Sequence, residues 1–326
     1  MPDSTKSSVL ANIEIKPISV LICTRNRPDD IILVMPHIMA QDYPDYEVVI
    51  IDQSSDNQSE DRIKSQYGSD PRLRYIRPGT VGLSIARNQA LAEARHEICA
   101  FTDDDVEVPT DWLTKVNQTF NAFPETDVLF SPVLAPHDRD QSQDLYFASL
   151  YFHEARVLNK GELFGMGANM MLRKSFFEKV GPFDALLGAG APLPGSDEHD
   201  WLYRAHMIDG IIRLEPDNCI EHRAPRTFDQ WLRVNYLCAF GDAAFAVKHL
   251  RCGDLKMLRV ILHRLAIEGL RVPLKYCQRR GWRFNAVYVR RYWLGIWGSL
   301  KYRVDRSTRL FVSPEHAHAN DGIAGK

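Results

Sequence analysis

Short apolar runs alternate with helical patterns along the first 125 residues of the chain. Four runs predict strands, and three of these are nearly continuously apolar, as in strands that are covered on both faces. The predicted strands lie at 18–23, 47–52, 73–77 and 98–102. Helices are predicted to begin at Pro28, Leu83 and Pro109, and Pro36 is expected to bend or end the first. The alternation predicts a doubly wound, mostly parallel α/β sheet with helices on both faces.

The pattern changes twice further along the chain. Between about residues 125 and 222, short strands are mixed with helices that are predicted to begin at Lys174 and Asp197. After Pro225 the pattern is helical to about residue 310. We therefore predict a main domain at 17–225, divided near residue 105, and a helical region at 226–310. Residues 1–16 are predicted to form a flexible tail, and residues 311–326 a second tail.

Charge is distributed unevenly along the chain, although its net charge is only −2. Residues 1–222 contain 20 Lys and Arg against 35 Asp and Glu, a net charge of −15. Residues 223–310 contain 19 against 5, a net charge of +14. The split indicates either two regions with different partners or two oppositely charged parts that pack together.

Cysteine usage and the N-terminal sequence bear on the compartment. The six cysteines are scattered, without a C-x-x-C pair or a histidine at zinc-site spacing. This pattern indicates a reducing compartment and no structural zinc. Residues 1–16 lack the apolar core of a signal peptide, and no run of 18 apolar residues occurs. We expect a cytoplasmic protein.

Polar residues follow three of the predicted strands where each strand ends. Thr24 follows the first strand, Asp52 ends the second, and Asp103, Asp104 and Asp105 follow the fourth. Ligands of open α/β sheets bind outside the carboxyl ends of the strands, so these residues are predicted to share one crevice. The sequence contains no G-x-G-x-x-G after the first strand and no Walker P-loop, which weakens dinucleotide-binding and NTPase interpretations.

The run of three aspartates is a candidate metal site. On an extended segment Asp103 and Asp105 point to the same side, where two carboxylates can hold a hard divalent cation such as Mg²⁺ or Mn²⁺. Such a cation would also bind a diphosphate. The alternative interpretation is a solvated acidic loop or the N-cap of the following helix.

A second acidic cluster, Asp197-Glu198-His199-Asp200, opens a predicted helix. Its carboxylates could remove a proton from an acceptor hydroxyl, or they could simply stabilise the positive end of the helix dipole. His222 lies just past a short predicted strand and is a weaker metal-ligand candidate, because an isolated histidine usually has no such role.

Taken in order, these blocks resemble glycosyltransferase family 2, the inverting nucleotide-sugar enzymes of the GT-A fold. The resemblance covers about residues 17–225 and includes an A-R-N block around Arg87 and a D-x-D at 103–105. The matching blocks lie at 17–27, 41–56, 82–90, 100–105, 167–169, 180–184 and 197–200, followed by His222. Each block alone is weak, whereas the ordered set is specific.

The resemblance implies a role for each matching residue. It implies that residues 17–105 form the nucleotide-binding half and residues 106–225 the acceptor half. The implied nucleotide-binding residues are Thr24, Asp52, Asp103, Asp104 and Arg87, of which Arg87 is either structural or close to the diphosphate. The implied metal ligands are Asp105 and His222. The residues implied near the donor sugar or acceptor are Gly167, Asn169, Asp200 and Trp201.

Two departures from the family pattern affect these assignments. The family usually has Glu-Asp-x-Asp in the second acidic cluster, with the second carboxylate as catalytic base. By position the base is therefore Glu198, with Asp197 as the alternative. At 52–56 the common D-D-G-S-x-D is replaced by D-Q-S-S-D, which loses a carboxylate and a glycine.

The resemblance implies single-displacement transfer of a sugar from a nucleoside-diphosphate donor to a glycan or lipid-linked acceptor, in polysaccharide or glycoconjugate synthesis. Two alternatives stay open. A nucleotidyltransferase on a similar sheet would usually show a glycine- and Lys/Arg-rich loop after the first strand, and residues 24–28 contain no glycine. The second alternative is a non-catalytic protein that binds sugar or membrane and has a degenerate transferase scaffold.

The basic region adds a hypothesis of membrane binding. Residues 255–272 fit an amphipathic helix, and residues 288–303 mix aromatic with basic side chains, as suits a lipid headgroup region. The hypothesis places the protein peripherally on the inner face of the membrane, through residues 255–303. The alternative is that the apolar face covers the main domain. Nucleic acid is not expected as a partner, because no recognition motif accompanies the charge.

Overall fold

The computed structural model describes residues 14–138, 145–278 and 281–313. Its strands are β1 (Ile18–Thr24), β2 (Tyr46–Asp52), β3 (Leu73–Ile76), β4 (Ile98–Asp103), β5 (Val106–Glu107), β6 (Val128–Phe130), β7 (Val133–Leu134), β8 (Arg156–Val157), β9 (Met170–Arg173), β10 (Ile212–Leu214), β11 (Ile220–His222), β12 (Arg303–Asp305) and β13 (Leu310–Val312). Its helices are α1 (Pro28–Met39), α2 (Gln58–Tyr67), α3 (Leu83–Glu93), α4 (Trp112–Ala122), α5 (Lys174–Val180), α6 (Asp197–Met207), α7 (Phe228–Arg251), α8 (Lys256–Cys277) and α9 (Trp282–Ser299).

An eight-stranded sheet in the order β3-β2-β1-β4-β9-β6-β10-β8 forms the centre of the molecule. The first four strands are parallel, and their register places Thr24 beside Asp52 and Cys23 beside Asp103. Strand β9 then runs antiparallel to both β4 and β6. The register brings the polar strand ends to one edge, as the sequence predicted.

Alternate side chains of the central strands enter two separate cores, because successive residues of a strand point to opposite faces. On one face Val20 and Val48 pack with α1, α2 and α4. On the other face Leu21 and Val49 pack with α3, α5 and α6. The predicted α/β class, with a mostly parallel sheet and helices on both faces, is confirmed.

Several element predictions need correction. Helix α1 continues through Pro36 to Met39. Helix α2 carries no strong apolar stripe and was not predicted, since it buries only Ser59 and Ile63. The helical pattern ends at Ser299 rather than near residue 310, and a hairpin of β12 and β13 follows.

The predicted tails are only partly covered by the described residues. Residues 14–16 are attached to the domain, since the Lys16 N–H donates to the Asn117 side chain and Tyr43 donates to the Lys16 carbonyl. Phe311, which lies within the predicted second tail, is buried. Residues 1–13 and 314–326, the rest of the two tails, lie outside the described residues.

Helices α7, α8 and α9 form a layer that packs on the sheet domain through α7. Gly241 of α7 lies directly against the backbone at Pro194, where an added Cβ atom would meet the carbonyl oxygen at 2.2 Å. Among the described helices, none combines the length and apolar character that crossing a bilayer would require.

A buried ion network fastens α7 to the sheet domain. The Lys248 Nζ atom lies 2.6 Å from both Asp184 Oδ2 and Asp200 Oδ1, and all three side chains are at most 1% exposed. His249 and Arg204 also contact the Asp200 carboxylate. Although burial opposes ionisation, Lys248 and Arg204 hold the pKa of Asp200 well below its usual range. The negative charge is thus compensated by several partners at once.

We expect Lys248→Met to lower the free energy of unfolding by about 3 to 5 kcal/mol, because it leaves two buried carboxylates without their shared cation. Urea denaturation measures the change. Lys160→Met is the matched control, because Lys160 pairs with Asp209 on the surface, with both side chains more than 65% exposed; its loss should cost at most about 1 kcal/mol. Equal effects of the two changes would contradict the proposed role of the network.

Candidate active site

A polar pocket of about 290 Å³ opens at the carboxyl ends of the parallel strands. Thr24, Asp103, Asp104, Asp105 and His222 all line it, so the structure brings together five residues that the sequence had singled out. The loop at 189–190 and the start of α3 at Leu83 close its other side. The pocket lies where ligands of open α/β sheets bind.

Strand pairing places His222 next to the aspartates. Strand β11 runs antiparallel to β5 with His222 opposite Val106, and the Arg223 N–H donates to the Asp105 carbonyl at 2.7 Å. The His222 Nε2 atom then lies 3.4 Å from Asp105 Oδ1. Ligand atoms of Asp103, Asp105 and His222 all lie within 4.8 Å of one another.

These three residues fit a divalent cation. The Asp105 Oδ1 atom is buried and has no hydrogen-bond partner among the described residues, and such an atom is costly to bury unless something binds it. Burial lowers the pKa of His222 even though Asp105 lies beside it, which favours the neutral imidazole that ligates metals. The two carboxylates are suitable ligands for Mn²⁺ or Mg²⁺, and the imidazole beside them suits a transition metal such as Mn²⁺ better than Mg²⁺.

Arg27 is the main site residue that sequence analysis did not identify. Its guanidinium donates to Asp104 Oδ1 and lies 2.6 Å from Asp105 Oδ2. Asp104 also accepts a 2.6 Å hydrogen bond from Thr24 at its other oxygen. Both oxygens of Asp104 therefore accept hydrogen bonds, whereas Asp105 Oδ1 accepts none from the described residues and has only His222 Nε2 nearby. The T-R-N-R run after β1 was visible in the sequence, but only the fold shows which arginine reaches the aspartates.

The aspartates share an enclosed, negatively charged corner. Desolvation and the neighbouring Asp105 carboxylate raise the pKa of Asp103 to about 7. Burial likewise raises the pKa of Asp104 to about 7, although Arg27 opposes the shift. Placing several carboxylates in a poorly solvated corner is unfavourable without a cation, so the corner favours positive charge in the pocket.

Arg87 joins the two halves of the site. Its side chain is 3% exposed, and it donates to Asp197 Oδ2 at 2.6 Å and to Glu198 Oε1 at 2.7 Å. The backbone at Gly167 passes directly over this group, and an added Cβ atom there would lie 2.2 Å from both Arg87 and Glu198. A side chain at 167 would therefore displace the ends of Arg87 and Glu198, and Arg87 positions the second acidic cluster.

The two candidate bases differ in their surroundings. The Asp197 side chain is 9% exposed, against 28% for Glu198. Burial raises the pKa of Asp197, with Arg87 opposing. Only one oxygen of Glu198 has a hydrogen-bond partner among the described residues. Glu198 is the more accessible of the two carboxylates.

Three residues that the resemblance placed near the sugar lie in the interior. Asp200 belongs to the Lys248 network, and Trp201 packs between aromatic rings and donates to the Gly181 carbonyl. Asn169 accepts from the Trp112 indole and donates to the carbonyls of Pro132 and Asn218. Because all three are at most 1% exposed and internally bonded, we do not retain them as substrate contacts.

Asp52 is likewise enclosed, at 1% exposure. One carboxylate oxygen accepts from the Ser54 N–H and hydroxyl, and the other accepts from the Tyr75 hydroxyl. The neighbouring Gln53 lines the pocket instead and bonds to both the N–H and the carbonyl of Gly82. At the position where the family commonly has a second aspartate, this chain therefore places the amide of Gln53 in the pocket wall.

The family model described as Glycosyl transferase family 2 matches residues 19–181, half of the chain. The chain therefore belongs to glycosyl transferase family 2, and its fold is of the GT-A type.

Individual relatives are more distant. The chain is 26% identical over 206 residues to the putative glycosyltransferase EpsH of Bacillus subtilis, which covers 60% of this chain and 57% of EpsH. It is also 26% identical over 215 residues to the succinoglycan biosynthesis protein ExoM of Rhizobium meliloti, covering 64% and 67% of the two chains. The chain thus spans less than two thirds of the length of EpsH.

Solved structures share the fold at low sequence identity. The mannosyltransferase PcManGT from Pyrobaculum calidifontis, solved with GDP-Man and Mn²⁺, superimposes with a TM-score of 0.56 at 18% identity, covering 98% of this chain and 85% of that one. S. aureus TarS superimposes with a TM-score of 0.51 at 19% identity over 68% of this chain and 39% of that chain.

We expect Asp105→Asn to weaken Mn²⁺ binding by about a hundredfold or more, because even the loss of an outer-shell partner of a metal ligand costs 10- to 100-fold. Electron paramagnetic resonance of free Mn²⁺ during a titration with protein measures this without an assay of activity. Asp61→Asn on exposed α2 is the matched control and should leave the affinity unchanged. An Asp105 variant with unaltered Mn²⁺ affinity would remove Asp105 from the metal site.

Proposed function

We propose that the protein transfers a sugar from a nucleoside-diphosphate donor to an acceptor hydroxyl with inversion at the anomeric carbon. The observation that carries the proposal is that two sets of side chains, one suited to a cation and one containing a candidate base, lie side by side at one edge of the sheet. A cation-binding corner of Asp103, Asp105 and His222 faces the pocket, and Arg87 holds a partly accessible Glu198 beside Asp103. Separate residues that lie next to each other would thus bind the donor and remove the acceptor proton.

The donor diphosphate is assigned to the aspartate corner. Asp105 and His222, assisted by Asp103, would hold the divalent cation, which supplies positive charge against the departing nucleoside diphosphate. The solved complex of PcManGT contains both GDP-Man and Mn²⁺, and this likeness supports the same kind of donor here. Thr24, Arg27 and Gln53 line the rest of the pocket and are assigned to donor binding.

Glu198 is assigned as the general base. It would accept the proton of the acceptor hydroxyl as the oxygen attacks the sugar, whose transition state resembles an oxocarbenium ion. Arg87 holds one oxygen of the carboxylate in place, and the other oxygen, which has no hydrogen-bond partner among the described residues, is assigned to the acceptor. Asp197 is the alternative base, although its deeper position beside Arg87 leaves less room for an acceptor.

The acceptor is proposed to be a glycan or a lipid-linked glycan in polysaccharide or glycoconjugate synthesis, at the cytoplasmic side of a membrane. The relation to a succinoglycan biosynthesis protein supports this class of product. The nucleotide, the sugar and the acceptor are to be identified by screening nucleotide sugars for metal-dependent thermal stabilisation, since a ligand that binds the native state raises its apparent stability.

The reaction class is tested by the products that a donor panel releases. Slow, metal-dependent release of nucleoside diphosphate supports sugar transfer. Release of pyrophosphate from nucleoside triphosphates would instead identify a nucleotidyltransferase. Binding of a nucleotide sugar with no release under any metal would identify a non-catalytic protein on this scaffold.

We expect Glu198→Gln to lower kcat by about a hundredfold or more, because general-base catalysis contributes 10²- to 10⁴-fold. Donor binding should persist, since Glu198 does not line the donor pocket. Steady-state turnover and calorimetric donor titration separate the two effects. Asp197→Asn is the matched comparison; if it abolishes turnover while Glu198→Gln does not, the base is Asp197.

A further inference from the structure

Helices α8 and α9 turn part of their apolar surface toward solvent. Helix α8 packs inward through Met257 and Ile261, and α9 packs inward through Tyr292 and Gly295. The apolar face that the sequence predicted for α8 is therefore divided, because Leu258 and Leu262 lie on the outside. The interpretation that this face covers the sheet domain is not supported for those residues.

The outward apolar residues follow helical spacing. The outer leucines of α8 recur every four residues, apart from an alanine at 266, and neighbours at this spacing lie next to one another on a helix surface. They are Leu258 (46% exposed), Leu262 (58%), Leu270 (64%) and Leu274 (61%). On α9 the outer residues are Trp293 (47%), Leu294 (43%) and Trp297 (64%), followed by Leu300 (46%). We call these eight residues the outer apolar face.

Basic residues are concentrated on the two helices that carry the outer apolar face. Residues 256–301 contain eleven Lys and Arg but a single acidic residue, Glu268. Glu268 is buried and bonded to Arg271 and Asn285, so it offers no negative charge to a partner. Exposed Arg259, Arg290 and Arg291 lie on the same two helices.

We propose that the outer apolar face and its basic residues form a docking surface for an anionic lipid bilayer. Tryptophan and leucine insert at the level of the headgroups, and basic side chains bind anionic lipid. A second copy of the chain would bring two strongly basic surfaces together, which is unfavourable. Nucleic acid would match the charge but would give the exposed leucines no apolar partner, so lipid fits both properties better.

The docking surface is joined to the proposed base through α7. Helix α9 packs closely on α7, where an added Cβ atom on Gly295 would lie 2.3 Å from the Phe240 carbonyl oxygen. Lys248 and His249 of α7 hold Asp200 in α6, the helix that begins with Asp197 and Glu198. If the proposed function holds, bilayer binding would bring an acceptor anchored in lipid toward this helix.

Co-sedimentation of the full chain with vesicles tests the docking surface. Binding is expected to vesicles that contain phosphatidylglycerol, to weaken as salt is raised, and to be far weaker for phosphatidylcholine alone. Trp293→Ala combined with Trp297→Ala should weaken binding about tenfold or more. Arg290→Gln combined with Arg291→Gln should weaken binding to the anionic vesicles by a similar factor.

Leu33→Ala and Tyr151→Ala are the matched controls, because these residues are 68% and 54% exposed on the sheet domain. Both should bind vesicles like the unaltered chain. Binding to neither vesicle type would overturn the proposal, as would unaltered binding of the tryptophan variant. Concentration-dependent self-association in the absence of vesicles, abolished in the tryptophan variant, would instead assign the surface to a second copy.

Release of nucleoside diphosphate in vesicle-free solution separates this proposal from the proposed function. The tryptophan and arginine variants should retain that release, because the altered residues lie outside the pocket. Vesicle binding without any donor release would leave the docking surface standing and reject the catalytic proposal. Release of nucleoside diphosphate without vesicle binding would support the catalytic proposal and reject the docking surface.

Discussion

The buried guanidinium of Arg87 is the interaction on which the site depends. It extends from α3, in the half of the chain that carries the parallel strands, and holds Asp197 and Glu198 at the start of α6. Without a cation there, two carboxylates would face Asp103 in a poorly solvated space, where like charges repel strongly. Gly167 leaves the room that this arrangement needs.

A second layer of buried charge supports the first. Asp200 lies in the same helical turn as Asp197 and Glu198 but points into the interior, where Lys248, His249 and Arg204 neutralise it. The first turn of α6 is therefore held from one side by α3 and from the other by α7. The basic C-terminal region therefore helps to hold the site in place. Its contact with the acidic domain explains only part of its positive charge.

The outer apolar face differs from the site, because it consists of exposed apolar side chains and not of buried ion pairs. Its leucines and tryptophans gain little from the protein itself, since they remain about half or more exposed. The inner sides of the same helices are packed closely, as the contact of Gly295 with α7 shows. Helices that are packed on one side and leave apolar surface exposed on the other are suited to the bilayer docking proposed above.

The sequence alone determined the sheet and the location of its crevice, because alternation of apolar runs with helical patterns follows directly from backbone geometry. It also singled out Asp103, Asp105 and His222 as candidates, because their order matches a family pattern, and the structure brings the three side chains together. Only the tertiary structure showed that Arg27 bonds to Asp104 and Asp105, that Asp200 and Trp201 are interior, and that much of the α8 apolar face is exposed. Such facts depend on contacts between residues far apart in the chain, which local periodicity does not encode.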